Sequence, residues 1–260
     1  MLKNQTRRQE LQILGCTAQH LGDRREQQDR IAIFTSRMAS RCVLGLVADG
    51  VGGRSGGALA AENVMMAAQR LFDEFNPQTD SVERFFRTLV QEAHTILGLS
   101  AYASKLDPHS TMVAVLIQPS RADWCHVGDS RLYFFRNGRE FNRTADHTLA
   151  AKMIAEGTMS IERALLHPSA SHLTHTLGGE MAPEPSLGGV DKIQPGDRFL
   201  LCSDGLWGYF ADGELADLTQ SRDVRASTSQ LIANARERAV GGSGDNCSMV
   251  LLGIEQKGDA

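Results

Sequence analysis

Trp124-Cys125-His126-Val127-Gly128-Asp129-Ser130-Arg131-Leu132-Tyr133-Phe134-Phe135 sets two apolar runs on either side of a short polar break. Trp124–Val127 and Leu132–Phe135 have the aromatic and β-branched character of strands. Gly-Asp-Ser-Arg between them reads as a tight hairpin, and Asn137-Gly138 is the next turn signal. The middle of the sheet is therefore expected to be antiparallel.

Outward from this stretch, further strand-like runs lie at Cys42–Ala48, Thr111–Ile117, Phe199–Ser203 and Cys247–Ile254. Several lack strict alternation, as strands covered on both faces do. Two helical patterns separate the first two runs. In one, Ala60, Val64, Ala68, Leu71 and Phe75 recur at three- and four-residue steps between Gly56-Gly57 and Asn76-Pro77. The other starts at Ser81, an N-cap residue with Arg84 three positions on, and continues through Phe85, Leu89, Ala93 and Ile96 toward Tyr102. A last helix is expected over Val224–Ala239, with Val224, Leu231, Ile232 and Ala235 on one face. From Asp146 to Glu184 a short helical piece at Thr148–Glu156 gives way to Pro168, several Ser and His, and Gly178-Gly179. This segment reads as a mobile flap.

No internal repeat or linker divides the 260 residues, and 42% apolar side chains suffice for one large core, so residues 10–256 are expected to form a single domain. Residues 1–9 read as a flexible tail, since the basic stretch Lys3–Arg8 has no apolar pattern. A net charge of −4 gives no electrostatic case for nucleic-acid or anionic-membrane binding. No run approaches the roughly 20 apolar residues of a membrane helix, and Met1–Gln5 lacks the apolar core of a secretory signal; a cytoplasmic location is expected. Cys16, Cys42, Cys125, Cys202 and Cys247 are odd in number and scattered, mostly beside apolar runs, as buried reduced thiols are.

Three apolar runs meet an aspartate followed by glycine or asparagine: Leu46-Val47-Ala48-Asp49-Gly50, Leu200-Leu201-Cys202-Ser203-Asp204-Gly205, and Gly244-Asp245-Asn246 before Cys247–Leu252. Carboxylates at strand ends on a rigid sheet can converge, and hard divalent cations such as Mg²⁺ and Mn²⁺ want such oxygen ligands. Taken singly, each dipeptide is more often a plain turn, because Gly tolerates positive φ and Asp bonds its own backbone. Asp212-Gly213 is the internal example: it follows no long strand-like run and reads as a helix entry without a site role.

Read in order, Gly22-Asp23-Arg24-Arg25-Glu26-Gln27-Gln28-Asp29-Arg30, Val47-Ala48-Asp49-Gly50-Val51-Gly52-Gly53, Val127-Gly128-Asp129-Ser130-Arg131, Thr144-Ala145-Asp146-His147, Thr174-His175-Thr176-Leu177-Gly178, Cys202-Ser203-Asp204-Gly205-Leu206-Trp207 and Gly244-Asp245-Asn246 form an ordered set. The set resembles the bacterial-type metal-dependent serine/threonine phosphatases of the type 2C class. The resemblance implies an α/β (α+β) four-layer sandwich: two mainly antiparallel sheets face to face, helices on both outer sides, and metals at one edge between the sheets. It implies two Mn²⁺ or Mg²⁺ ions, with Asp49 bridging them, the Gly50 carbonyl on one, and Asp204 and Asp245 completing the other. Asp29 would hold a bound water, and Asp129 with Asp204 matches a weaker third metal position, a hairpin turn role being the alternative. Arg24, five residues ahead of Asp29, matches the phosphate-binding arginine, whose guanidinium can grip two phosphoryl oxygens.

The implied chemistry is in-line attack by a metal-activated water on phosphoserine or phosphothreonine, with phosphorylated proteins as substrates and a cognate bacterial serine/threonine kinase as the opposing partner. A thiol mechanism is disfavoured, because Cys125 and Arg131 are one step too far apart for Cys-x5-Arg. The sequence departs from the family at three places. Val51 stands where animal members have a histidine, which leaves the proton donor open among His20, His147, His167, His172, His175 and a metal-bound water. Gln28 stands where some relatives carry a glutamate ligand. His109-Ser110-Thr111 replaces the usual Gly-Thr-Thr and reads as a packing change. Two other readings stay in view: a phosphoprotein-binding regulatory module of the same fold, expected to lack at least one of Asp49, Asp204, Asp245 and Arg24, and a two-metal nuclease, for which no basic track is present.

Overall fold

The computed structural model describes residues 10–51, 55–211, 213–239, 241–242 and 244–258. The expected tail, Gly52-Gly53 and Asp212 lie outside the described residues. In chain order the strands are β1 (Leu11–His20), β2 (Asp29–Thr35), β3 (Val43–Asp49), β4 (Met112–Ile117), β5 (Ala122–Val127), β6 (Arg131–Arg136), β7 (Arg139–Arg143), β8 (Ser186–Val190), β9 (Arg198–Cys202) and β10 (Cys247–Gln256). The helices are α1 (Gly57–Glu74), α2 (Val82–Ser104), α3 (Leu149–Ala155), α4 (Ile161–Leu165), α5 (Asp204–Trp207), α6 (Glu214–Thr219) and α7 (Val224–Arg238). The strands form two five-stranded antiparallel sheets, ordered β1-β10-β9-β6-β7 and β2-β3-β4-β5-β8.

The side-chain period of two explains the layering. In β4, Met112, Ala114 and Leu116 face α1 and α2, while Val113, Val115 and Ile117 face the other sheet. In β10, Val250, Leu252 and Ile254 meet them from across the gap, and Met249 and Leu251 face α7. Each central strand is thus apolar on both faces, which is why these runs lack alternation. Each fully buried Leu or Val here contributes roughly 1.5–3 kcal/mol. The order is helix, sheet, sheet, helix, as the family resemblance implies.

The helices start where the chain chemistry predicts. Ser81 Oγ accepts the Arg84 N–H at 3.3 Å and caps α2. The α1 stripe of Ala60, Val64 and Ala68 is wholly buried on the sheet, and Val224, Leu231 and Ala235 are the buried face of α7.

The hairpin expected at Gly128-Asp129-Ser130-Arg131 is not one. β5 pairs with β4 and β8, β6 pairs with β7 and β9, and the two strands lie in different sheets. A two-residue hairpin of type I′ has positive φ at both central residues. Here Gly128 has φ +103 but Asp129 does not follow it, whereas Asn137 (φ +54) and Gly138 (φ +68) do and close the true β6–β7 hairpin. The Gly128 turn instead carries the chain from one sheet to the other. It is pinned by a Ser130 Oγ to Thr111 Oγ1 bond of 2.8 Å and by His147 N–H donating to the Gly128 carbonyl at 2.9 Å.

Candidate active site

At one end of the sandwich a cleft of about 520 Å³ opens between the sheets, with Arg24, Asp49, Gly50, Asp129, Asp204 and Asp245 in its walls. Both sheets supply it. Asp29 begins β2 and Asp49 ends β3, and the two are direct cross-strand partners. Asp204 follows β9 through Ser203, Asp245 lies just ahead of β10, and Asp129 sits on the crossing turn.

Asp29 is buried behind Asp49 rather than in the cleft wall. Its Oδ2 accepts the Ser203 hydroxyl at 2.9 Å, a bond from one sheet to the other. Burial raises its pKa to about 6 against the hydrogen bonds from Ser248 and Ser203. Asp49, Asp129 and Asp204 are half-buried, reached by solvent through the cleft and enclosed elsewhere. Desolvation, then the Asp29, Asp204 and Asp129 carboxylates, push Asp49 well above the usual carboxylate range. Desolvation and the neighbouring Asp204 and Asp146 charges raise Asp129 to about 7, and desolvation with Asp245 raises Asp204. The Asp49 backbone is fixed on both sides, its N–H donating to Thr111 Oγ1 at 3.2 Å and its carbonyl accepting Thr111 N–H at 2.8 Å. Gly50 N–H donates to the Gln28 carbonyl at 3.2 Å.

Arg24 approaches from the loop before β2 and donates from Nη2 to Asp245 Oδ2 at 2.6 Å. This bond, then the charges of Asp204 and Asp49, raises its pKa further. The loop is held by groups that motif reading did not assign. Asn246 accepts the Gln28 N–H at 2.8 Å on Oδ1, and its Nδ2 donates to the carbonyls of Leu21 at 2.8 Å and Glu26 at 3.1 Å. Asp23 takes Gly244 N–H at 2.7 Å and Arg236 at 3.0 Å. Gly205 must be glycine: a Cβ there would stand 2.1 Å from the Asn246 carbonyl. Below Asp129, Arg131 grips Asp146 with two bonds of 2.7 Å and stacks on Trp207, whose Nε1 donates to the Asp129 carbonyl at 3.0 Å.

Of the five histidines open as proton donors, His172 lines the cleft. His147 stacks on His126 and meets the His175 ring edge-on, and desolvation with these two imidazoles lowers His147 to about 3. His20 accepts Gly22 N–H and His167 accepts Ser169 N–H. His109, read from sequence as a packing change, lines the cleft. No cysteine does; Cys42, Cys125, Cys202 and Cys247 are buried, and burial raises Cys42 to about 11 and Cys247 to about 12.

The donor set is all oxygen, and its half-buried carboxylates repel one another, so a hard cation fits where a thiophilic one does not. Among the described residues no three acidic, imidazole or thiol groups close around one point as a full protein cage would. An open set of this kind suits ions that keep several waters.

Comparison with known proteins gives a consistent result. The family model described as protein phosphatase 2C matches residues 16–241. The serine/threonine protein phosphatase PstP of Mycobacterium tuberculosis is 31% identical over 215 residues, covering 80% of this chain, which spans 40% of that protein's length. The serine/threonine phosphatase stp of Listeria welshimeri is 30% identical over 245 residues, covering 90% of this chain and 94% of its own. Among solved structures, the S. agalactiae serine/threonine phosphatase superposes with a TM-score of 0.85 at 25% identity, covering 94% of this chain and all (100%) of that one. The PstP catalytic domain in complex with two manganese ions gives 0.76 at 27% identity, covering 95% and 100%.

Proposed function

This chain belongs to the protein phosphatase 2C family, and from that premise we propose that it removes phosphate from phosphoserine and phosphothreonine on proteins. The observation that carries the reading is the convergence of Arg24 with Asp49, Asp129, Asp204 and Asp245 in one cleft, contributed by both sheets. Residues 10–256 act in this reading as one catalytic domain.

Asp49, the Gly50 carbonyl, Asp204 and Asp245 would hold two divalent cations, Mn²⁺ or Mg²⁺, and Asp129 with Asp204 a third. When bound, such ions supply Lewis acidity that makes water a nucleophile at neutral pH and offsets phosphoryl charge. The manganese-bound PstP domain supports this choice. Asp29 lies behind Asp49, fixed by Ser203, and would reach the ions through water. Arg24 binds the phosphoryl group. Its Nη2 meets Asp245, and a guanidinium's five N–H donors allow it to grip phosphoryl oxygens as well. Asn246 and Asp23 keep the loop, and with it Arg24, aimed at the carboxylates. The buried thiols take no part.

The substrates are phosphorylated proteins, and the partner is a serine/threonine kinase whose products this chain reverses. A cytoplasmic setting fits five free cysteines; among the described residues no helix is long and apolar enough to cross a membrane. With every residue of the set in place, nothing favours the regulatory-module reading.

The test is Mn²⁺-dependent phosphate release from a phosphothreonine peptide and from p-nitrophenyl phosphate, comparing the wild type with Asp204→Asn and a chelator control. Loss of turnover in chelator and a drop of about 10²-fold or more in the variant are expected. A folded wild type without metal-dependent turnover would sink the reading.

A further inference from the structure

His109 is a buried imidazole in the cleft wall to which the proposed function gives no role. Backbone holds it on two sides: its carbonyl accepts Val51 N–H at 3.0 Å, and Ser110 beside it bridges both Gly50 and Leu177. The ring is held at both nitrogens. Nε2 lies 3.0 Å from Asp107 Oδ1, and Nδ1 lies 3.0 Å from Thr176 Oγ1. Thr176 belongs to the 146–184 segment and lines the same cleft as Arg24 and Asp204.

An ionised carboxylate can only accept, so Nε2 carries a hydrogen. The other side then has two states at one heavy-atom distance. In the neutral ring, Nδ1 accepts the Thr176 hydroxyl, whose hydrogen points at the ring. In the imidazolium, Nδ1–H donates to Thr176 Oγ1, and the hydroxyl hydrogen is released toward the cleft. A proton arriving on His109 is thereby presented to whatever oxygen lies beside Thr176.

We propose that the chain Asp107, His109, Thr176 delivers the proton that the departing serine or threonine oxygen requires. The P–O bond breaks and its electron pair goes to the leaving oxygen, which takes the Thr176 hydroxyl proton. Thr176 takes the Nδ1 proton, leaving His109 neutral with the new hydroxyl hydrogen pointing at it. The attacking water loses one proton to solvent and the imidazole regains one, so the count closes. Thr176 is the catalytic residue of this step; His109 and Asp107 position and charge it. The inference rests on the phosphatase reading.

An alkoxide needs this proton, whereas p-nitrophenolate is a stable anion and leaves without it. With Mn²⁺ present, Thr176→Val and His109→Gln are expected to lower the ratio of phosphothreonine-peptide to p-nitrophenyl phosphate turnover by about 10²-fold, and Thr176→Ser to restore it. Should His109→Gln fail to fold, the half-buried Thr176→Val carries the test. Independently of activity, ¹⁵N shifts of the His109 ring are expected to show Nε2 protonated. Equal slowing of both substrates, an unchanged ratio, or an unprotonated Nε2 would overturn the relay while leaving the phosphatase reading intact. A wild type with no metal-dependent turnover on either substrate overturns both.

Discussion

The carboxylate cluster sets a stability cost that Asp129→Asn removes in metal-free protein. Desolvation, then the charges of Asp204 and Asp146, raise the Asp129 pKa from 3.8 to about 7. That difference corresponds to roughly 4 kcal/mol; solvent reaching the group through the cleft screens it to about 2 kcal/mol. The sign follows from proton binding. Above pH 7 both folded and unfolded chains carry the ionised group, and the fold bears the full cost. Between pH 7 and 4 the folded chain binds a proton that the unfolded chain does not, so the cost shrinks, and below about 4 it vanishes. In chelator at pH 8, Asp129→Asn is therefore expected to be more stable than wild type by about 2 kcal/mol, near 5 °C in Tm. The gain should fall toward zero by pH 4. Urea unfolding of both proteins across this range measures it. A variant no more stable than wild type at pH 8, or one whose gain does not change with pH, would refute the reasoning.

Other expectations follow from single contacts. Gly205→Ala forces a Cβ to 2.1 Å from the Asn246 carbonyl; backbone must move, and thermal unfolding should show a loss of about 3 kcal/mol or more. Glu255→Ala leaves the buried Arg198 without the carboxylate that sits 2.5 Å from it, and a cost of about 3–5 kcal/mol is expected in urea melts, less for Glu255→Gln. Ser81→Ala removes the α2 cap and should cost about 1 kcal/mol. Arg24→Ala, with five donors lost, should lower kcat/KM on a phosphopeptide by 10- to 10²-fold, from about 1.5–3 kcal/mol of charged hydrogen bonding.

Central strands were legible because both faces are apolar: Cys42–Ala48 and Thr111–Ile117 became β3 and β4 nearly unchanged. The edge strands were not. β1 and β8 are half-exposed, and their runs LQILGCTAQH and SLGGV carry neither steady alternation nor a solid apolar block. The Gly128 turn misled because a polar break between two apolar runs looks the same whether the chain folds back or changes sheet; the long-range pairing of β5 with β4 and β8, and of β6 with β7 and β9, decides, and local composition does not encode it. The aspartates could be picked out since each ends or precedes a strand. Asn246, Ser203 and the His109 ring could not, because these partners lie between 67 and 225 residues away in the chain.

The crossing at Gly128 and the bond from Ser203 to Asp29 place half of the cleft on each sheet. Neither sheet alone supplies the whole set proposed to hold the cations, since Asp49 ends a strand of one sheet while Asp204 and Asp245 flank strands of the other. Ion binding would therefore report complete docking of the two sheets, because a partly folded chain offers only part of that set. Ions held there as proposed would bind only the joined sheets and stabilise them by an amount that rises with the logarithm of ion concentration above the dissociation constant. On that reading, metal supply would set how long the sandwich stays shut as well as how fast it turns over.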